Sequence, residues 1–314
     1  MRKTLEIFKV AFLYVGSLVG AGFASGNEIR LYFGGSDIFS VLLSALFCGG
    51  TCCLFLAVGK NVTFGKIKKV LDLVFAVVSI ISAGVMLASL NELSGAIPTI
   101  IISLTCIVIV YVTSNGAKKF CLFAVPVIMF LITLVFFNRD NYSFAGKFTP
   151  VSSITYATMN LFFEFGLMYE QGKNLSSKQS IFVGLIVFLS TFILLFVMRC
   201  IIDGADSSLP FVQSAVRLGL GFTATVTMYL AISSTLVGCF TLAKNYFSFM
   251  PSSVAGACIA CLSLTLATIN FDKMVSTVYP IISFLGILLV MLSMLFITIY
   301  YLKKYKVKNL IKNN

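Results

Sequence analysis

Glu164 is a carboxyl set inside an apolar run, YATMNLFFEFG, from Tyr156 to Gly166. A charged group at that depth of a membrane-length segment costs a few kcal/mol to insert, so it faces a bundle interior or a polar path. Three roles are open to it. It can pair with the ammonium of a solute, carry a coupling proton, or sit lower in the segment beside Glu170. The second group able to do chemistry is backbone. The stretch VGSLVGAGFASGNEI, Val15 to Ile29, carries four glycines, Gly16, Gly20, Gly22 and Gly26, within the first apolar run. Each costs about 1 kcal/mol relative to alanine in a helix interior. The plain reading is close packing, since small residues let membrane helices approach. The other reading is a helix that breaks near Gly20-Ala21-Gly22 and restarts. Its first half then ends in free carbonyls and its second half begins with free amides. The half-helix dipoles give these two ends opposite sign. Such a break suits an anionic group and a cation together, at the depth where carriers hold cargo. Bare backbone there must line a cavity or be buried in protein.

Other chemistries are poorly supplied. The chain has no histidine, which removes Ser–His–Asp triads and imidazole metal ligands. Most of the nine cysteines lie in apolar runs and read as small packing residues. Cys258 and Cys261 have CxxC spacing, but no second pair accompanies them. No nucleophile–base constellation is visible, so an enzyme is not expected.

The elements that must position these groups are membrane helices. Hydrophobic residues make up 59% of the chain and charged residues 11%, about half the charged share of a soluble domain. Hydropathy gives ten segments, at 6–33, 38–59, 69–94, 96–114, 117–138, 151–172, 179–203, 219–247, 252–270 and 274–302. The stretch 205–218 is too short and polar to span, and reads as a loop with a short helix lying across one face. With the N-terminus inside, seventeen Lys and Arg fall on the inner side and six on the outer. That bias places both termini in the cytoplasm. It also explains the net charge of +12 without nucleic acid. Pro126 and Pro280 fall within spans and each removes a helical hydrogen bond. The whole chain, 1–314, reads as one transmembrane domain of two five-helix halves, 6–138 and 151–303. One half starts inside and the other outside, so a shared fold would relate them as an inverted repeat.

The segment GAGFASGNE resembles the GAGFASGQE signature of the YkvI-like bacterial membrane proteins, of the amino acid–polyamine–organocation transporter superfamily. Asn27 stands here where Gln is usual. The resemblance implies an all-α, leucine-transporter-type fold with helices 1 and 6 broken at the centre. Sodium-coupled proteins of that fold hold the ion between helix 1 carbonyls and a hydroxyl pair on helix 8. Carried over by position, the ligands are the carbonyls of Gly16, Val19 and Leu230 and the hydroxyls of Ser233 and Ser234. Sodium-independent relatives often use a helix 5 lysine instead, and Phe120–Phe137 holds none. The expected solute site comprises Gly20, Ala21, Gly22, Phe23, Ala24, Ser25, Gly26, Asn160, Phe163 and Glu164. Amides of residues 23–26 would take a carboxylate, and carbonyls near Phe162 and Phe163, or Glu164 itself, an amine. Carriers of this fold often latch the carboxylate with a helix 3 tyrosine. The third segment offers Ser79, Ser82, Ala83, Gly84 and Met86 and no tyrosine, which leaves an organic cation or a small polar solute as the alternative substrate.

The expectation is therefore a secondary active transporter of the cell membrane, coupled to sodium, moving an amino acid or similar small solute. Its partners are that solute, sodium as coupling ion and the lipid bilayer, with no other cofactor and no nucleic acid. Two other readings are a proton-coupled carrier using Glu164 and a non-transporting ligand sensor of the spore-germination permease-like kind. No feature of the sequence sets an oligomeric state.

Overall fold

Apolar runs whose backbone cannot bond to lipid must satisfy it internally, and here they do so as helices. The computed structural model describes the chain apart from residues 1, 66, 114, 140–145, 204–208, 270 and 313–314, and apart from the side chains of 2, 160, 271–280 and 306–312. In chain order the α-helices are α1 (Arg2–Leu18), α2 (Ala21–Ser25), α3 (Asn27–Phe33), α4 (Ile38–Asn61), α5 (Ile67–Ser94), α6 (Ala96–Val112) and α7 (Gly116–Phe137). There follow α8 (Pro150–Gly172), α9 (Ser177–Ile202), α10 (Pro210–Arg217), α11 (Gly221–Tyr246), α12 (Ser252–Leu266) and α13 (Phe271–Lys312). A 3-10 turn at Phe247–Phe249 extends α11. Six of these, α4, α5, α7, α9, α11 and α13, are long and apolar enough to cross a membrane. α6 and α12 are apolar but shorter. α1 is shortened by its break after Leu18, and α8 carries both Glu164 and Glu170.

Helix ends follow local chemistry. Asp37 caps α4 by accepting from the Ser40 amide at 3.0 Å. Ser176 and Gln179 close a reciprocal capping box on α9. Pro210 opens α10, where its missing N–H costs nothing.

Lipid tails give little drive for helices to associate, so close contact of small residues matters. Gly59 of α4 lies on the Tyr169 carbonyl of α8, and Gly172 of α8 lies on the Leu56 carbonyl of α4. A Cβ at either place would overlap backbone. One group of helices is α4 against α8 and α9, with α1 packed on both α8 and α9. A second group is α5 against α11 and α12, with α6 touching α5, α11 and α12. α7 lies along α1 and α11, and α13 along α8, α4 and α5. Outward apolar side chains such as Phe130, Phe182 and Phe284 remain exposed, as a lipid-facing surface requires. At one end of the bundle lie the N-terminus and the turns after α4, α6, α8 and α11, tied by Lys118 to Glu6 at 2.5 Å and Lys68 to Glu170 at 3.2 Å. Asp72 joins the second tie through Lys68, at 3.8 Å. At the other end, buried Arg199 donates to the Gly34 carbonyl at 2.9 Å and pairs with Asp203 at 3.0 Å.

The first expected span is interrupted twice, at Val19-Gly20 and at Gly26. The expected break in the sixth segment is absent: α8 runs unbroken from Pro150 to Gly172. One glycine is too small a penalty to end a helix held on three sides by α4, α13 and α1. Gly166 serves packing, against Leu242 and Phe75. With the helix intact, the Phe162 and Phe163 carbonyls lie within its hydrogen-bond ladder and are not bare acceptors for an amine.

Candidate functional site

The break in the first segment redirects its hydrogen bonds. Val19 N–H still reaches the Val15 carbonyl at 3.0 Å, but Gly20 N–H turns back to Leu18 at 3.0 Å. The Ala21 amide points to Met86 Sδ, at 3.1 Å. The carbonyls of Gly16 and Ser17, which a continued helix would have paired with residues 20 and 21, are thereby released. Two hydroxyls from α11 take them up. Ser234 Oγ donates to Gly16 O at 2.9 Å, and Thr235 Oγ1 lies 3.1 Å from Gly16 O and 3.4 Å from Ser17 O. The helical alternatives for the same hydroxyls are Ala231 O, at 2.8 Å from Ser234 and 3.3 Å from Thr235.

Of the expected hydroxyl pair, Ser234 reaches helix 1 and Ser233 does not. Residues 231, 234, 235 and 238 form the stripe of α11 that faces α1, at helical i, i+3, i+4, i+7 spacing. Ser233 falls off that stripe, half-buried, with its carbonyl 3.8 Å from Cys106 Sγ of α6. Cys121 Sγ of α7 approaches the next carbonyl, Ser234 O, at 4.0 Å. Val19 is fully buried at the break, and Leu230 lies half-buried one turn before Ser234. Four oxygens therefore converge: two helix 1 carbonyls and two α11 hydroxyls. Neutral oxygens of this kind suit a hard monovalent cation.

Glu164 is 0% exposed and sits against the same turn of α1. It does not lie with Glu170, which is tied to Lys68 and Lys173 at the end of the bundle. Its Oε1 is 2.8 Å from Ser17 Oγ, and its other carboxyl oxygen has no partner among the described residues. Ser17 Oγ is also 3.0 Å from Leu13 O and 2.9 Å from Tyr14 O. A serine has one proton for these three acceptors. If it goes to a helix carbonyl, the contact with Glu164 requires a proton on the carboxyl.

Between the break, α5, α8, α11 and α13 lies an enclosed space of about 20 Å³, room for roughly one water molecule. Gly20, Ser17, Thr235 and Phe163 line it, as does Glu28. Glu28 is 8% exposed, its carboxylate folded over Gly22, where a Cβ would collide with it. Met86 and Ser82 occupy the wall where a helix 3 tyrosine is expected. Ala21, Gly22, Phe23, Ala24 and Ser25 are all buried in α2. The expected carboxylate grip is already partly engaged: the Ala24 amide bonds Gly20 O and the Gly26 amide bonds Phe23 O, both at 2.9 Å. Ser25 Oγ bonds Gly22 O at 3.0 Å. The side chain of Asn160 lies outside the described residues.

Gly26 has φ of 83°, a left-handed turn that allows α3 to restart. α10 lies over it: a Cβ at Gly26 would be 3.0 Å from the Phe211 amide nitrogen and 2.8 Å from Ile202. The opposite end is less tightly closed. A recess of about 520 Å³, lined by Leu13, Lys118, Gln171, Thr241 and Lys244 among others, enters between α1, α7, α8 and α11.

No family model matches the chain, and no curated protein matches it in sequence. Among solved structures 19 chains match. One is MHP1, a nucleobase-cation-symport-1 family transporter, in a closed conformation with bromovinylhydantoin bound. The two align over 88% of this chain and 77% of that one, with a TM-score of 0.61 and 11% sequence identity. That neighbour is a transporter, not an enzyme. At such identity the likeness is one of fold, and the all-helical, multi-pass chain has the fold of a membrane transporter.

Proposed function

We propose that this chain is a secondary active transporter that moves a small solute across the cell membrane by alternating access, coupled to sodium. The observation that carries the reading is the meeting of bare Gly16 and Ser17 carbonyls with the Ser234 and Thr235 hydroxyls at a broken helix. The ion's ligands in this reading are those four oxygens, with Val19 and Leu230 beside them. The solute occupies the adjoining space lined by Gly20, Phe163 and Glu28, and is an amino acid or a related amine. The YkvI-like resemblance of GAGFASGNE agrees with both assignments.

The helix contacts support ten crossings in two inverted halves. Count α1 to α3 as one segment and leave α10 aside. Exchanging each of the first five segments with its counterpart in the second five turns most contacting pairs into contacting pairs, α6–α7 being an exception. α4–α8 becomes α9–α1, α7–α1 becomes α13–α8, α11–α7 becomes α5–α13, and α12–α5 becomes α6–α11. Ten crossings put both termini on one side, and the Lys and Arg bias makes that side cytoplasmic. The recess beside Lys118 and Lys244 is then the inward path, and α10 the outer cover.

The test is solute counterflow and uptake in proteoliposomes under an imposed sodium gradient. Sodium-driven uptake supports the reading. Solute binding without counterflow would make the protein a sensor. A proton-coupled carrier is favoured by one observation, the Glu164 carboxyl that shares a single serine proton with two helix carbonyls. Uptake driven by a pH gradient and indifferent to sodium would establish it.

A further inference from the structure

Two polar groups face the enclosed space with no hydrogen-bond partner among the described residues. Glu28 is 92% buried by difference from its 8% exposure, and among the described residues no cation or hydrogen-bond donor reaches its carboxylate. Ser82 is 3% exposed, lines the same space and has no partner for its hydroxyl among the described residues. A buried carboxylate without a counter-charge is among the most costly groups a fold can hold. Apart from Glu28, the lining residues are uncharged, and no lysine or arginine is among them. Met86, Met159 and Phe163 supply the remaining wall. Sulfur and aromatic faces are good neighbours for an organic cation.

The same geometry argues against a solute carboxylate. It would enter a wall that already holds one acid, beside the amides of residues 23–26, of which those of Ala24 and Gly26 are engaged internally. An α-amino acid would therefore bring a second carboxylate into a space whose one charged lining side chain, Glu28, is already an acid.

We infer that Glu28 and Ser82 form the receptor for the ammonium group of a small primary amine that lacks a carboxylate. Glu28 supplies the charge and one or two acceptors. Ser82 supplies a further acceptor from α5. The flexible methionines and Phe163 part to admit the hydrocarbon portion, which the closed space is too small to hold as it stands. This rests on the transporter reading only for its location, since a sensor on the same fold would hold the same ligand.

The experiment uses matched pairs that differ only in the carboxyl group: ethylamine with alanine, isobutylamine with valine, phenethylamine with phenylalanine. Binding is read by thermal shift on the purified full-length protein with sodium present, and transport by counterflow in proteoliposomes. The expected result is that at least one amine raises the melting temperature and its amino acid does not. Glu28→Gln should weaken that amine at least about tenfold, the cost of losing one charge-assisted hydrogen bond. Ser82→Ala should weaken it less. Without ligand, Glu28→Gln should melt no lower than wild type, because it removes an unpaired buried charge, and this shows that the variant is folded. Amino acids binding as well as their amines would overturn the substrate class. So would a panel in which no amine shifts the melt. Equal amine affinity in wild type and Glu28→Gln would overturn the site. Amine binding without counterflow leaves the receptor standing and refutes the transporter reading instead.

Discussion

At the scale of single residues, the ion and solute assignments rest on hydroxyls and carboxyls that neighbour one another without being interchangeable. Ser234→Ala with Thr235→Ala removes both α11 hydroxyls from the Gly16 and Ser17 carbonyls, and should raise the sodium concentration for half-maximal uptake at least about tenfold. Ser233→Ala, off the facing stripe, should leave it within about twofold. Sodium titration of uptake by the two variants decides between the registers. Glu164→Gln keeps an acceptor and supplies amide donors at Ser17. Sodium-driven uptake should survive it, and accumulation under a pH gradient measures the rival proton role. The residue types were legible in the sequence: a hydroxyl pair on the eighth segment, a carboxyl on the sixth and a glycine run on the first. The register was not. A one-residue step turns a helix by about 100°, enough to exchange Ser233 for Thr235, and only the packing of α11 on α1 sets that angle. Glu28 was hidden for another reason. Charge counting by loop places it at a membrane margin, and cannot show that the turn at Gly26 folds its side chain back over Gly22.

At the scale of elements, the contrast is between a segment that breaks and one that does not. Four glycines in the first span were a sufficient local penalty, whereas Gly166 alone was not. Amide exchange should reflect this: residues 19–26 should exchange faster than residues 158–168 in detergent, because their backbone bonds are irregular and border a cavity. Equal protection of the two stretches would contradict the break. Gly26→Ala forces an L-residue into the left-handed region, at roughly 1–2 kcal/mol, and pushes against Phe211. It should lower the melting temperature and reduce uptake together, since it displaces α10 from the restart of the helix. The helices were readable to within about four residues except at the end of α13, which runs to Lys312, and six of them have the length and apolarity a bilayer dictates. The second break was carried over from a resemblance, and here the chain's own packing prevailed.

At the scale of the whole molecule, the basic residues make a topological forecast. A single cysteine placed at Lys304 in a cysteine-free background should react with an impermeant maleimide only from the cytoplasmic side, and one at Lys147 only from outside. Labelling of both from one side would exclude an odd number of crossings between residues 147 and 304, and with it the five-plus-five layout. Fold class was legible from composition, but the pairing of helices was not, since near-uniform apolarity leaves few marks of which face meets which. The break confined to the first segment has a final consequence. In the proposed two-half layout the centre is unlike on its two sides: the first half lends peptide oxygens freed from their own helix, and the second an acid on an intact rod. A machine with true mirror parts would spend equal time open to each side. A transporter built as proposed here would instead have a built-in lean, its resting direction decided by which of its two unlike cores is the harder to uncover.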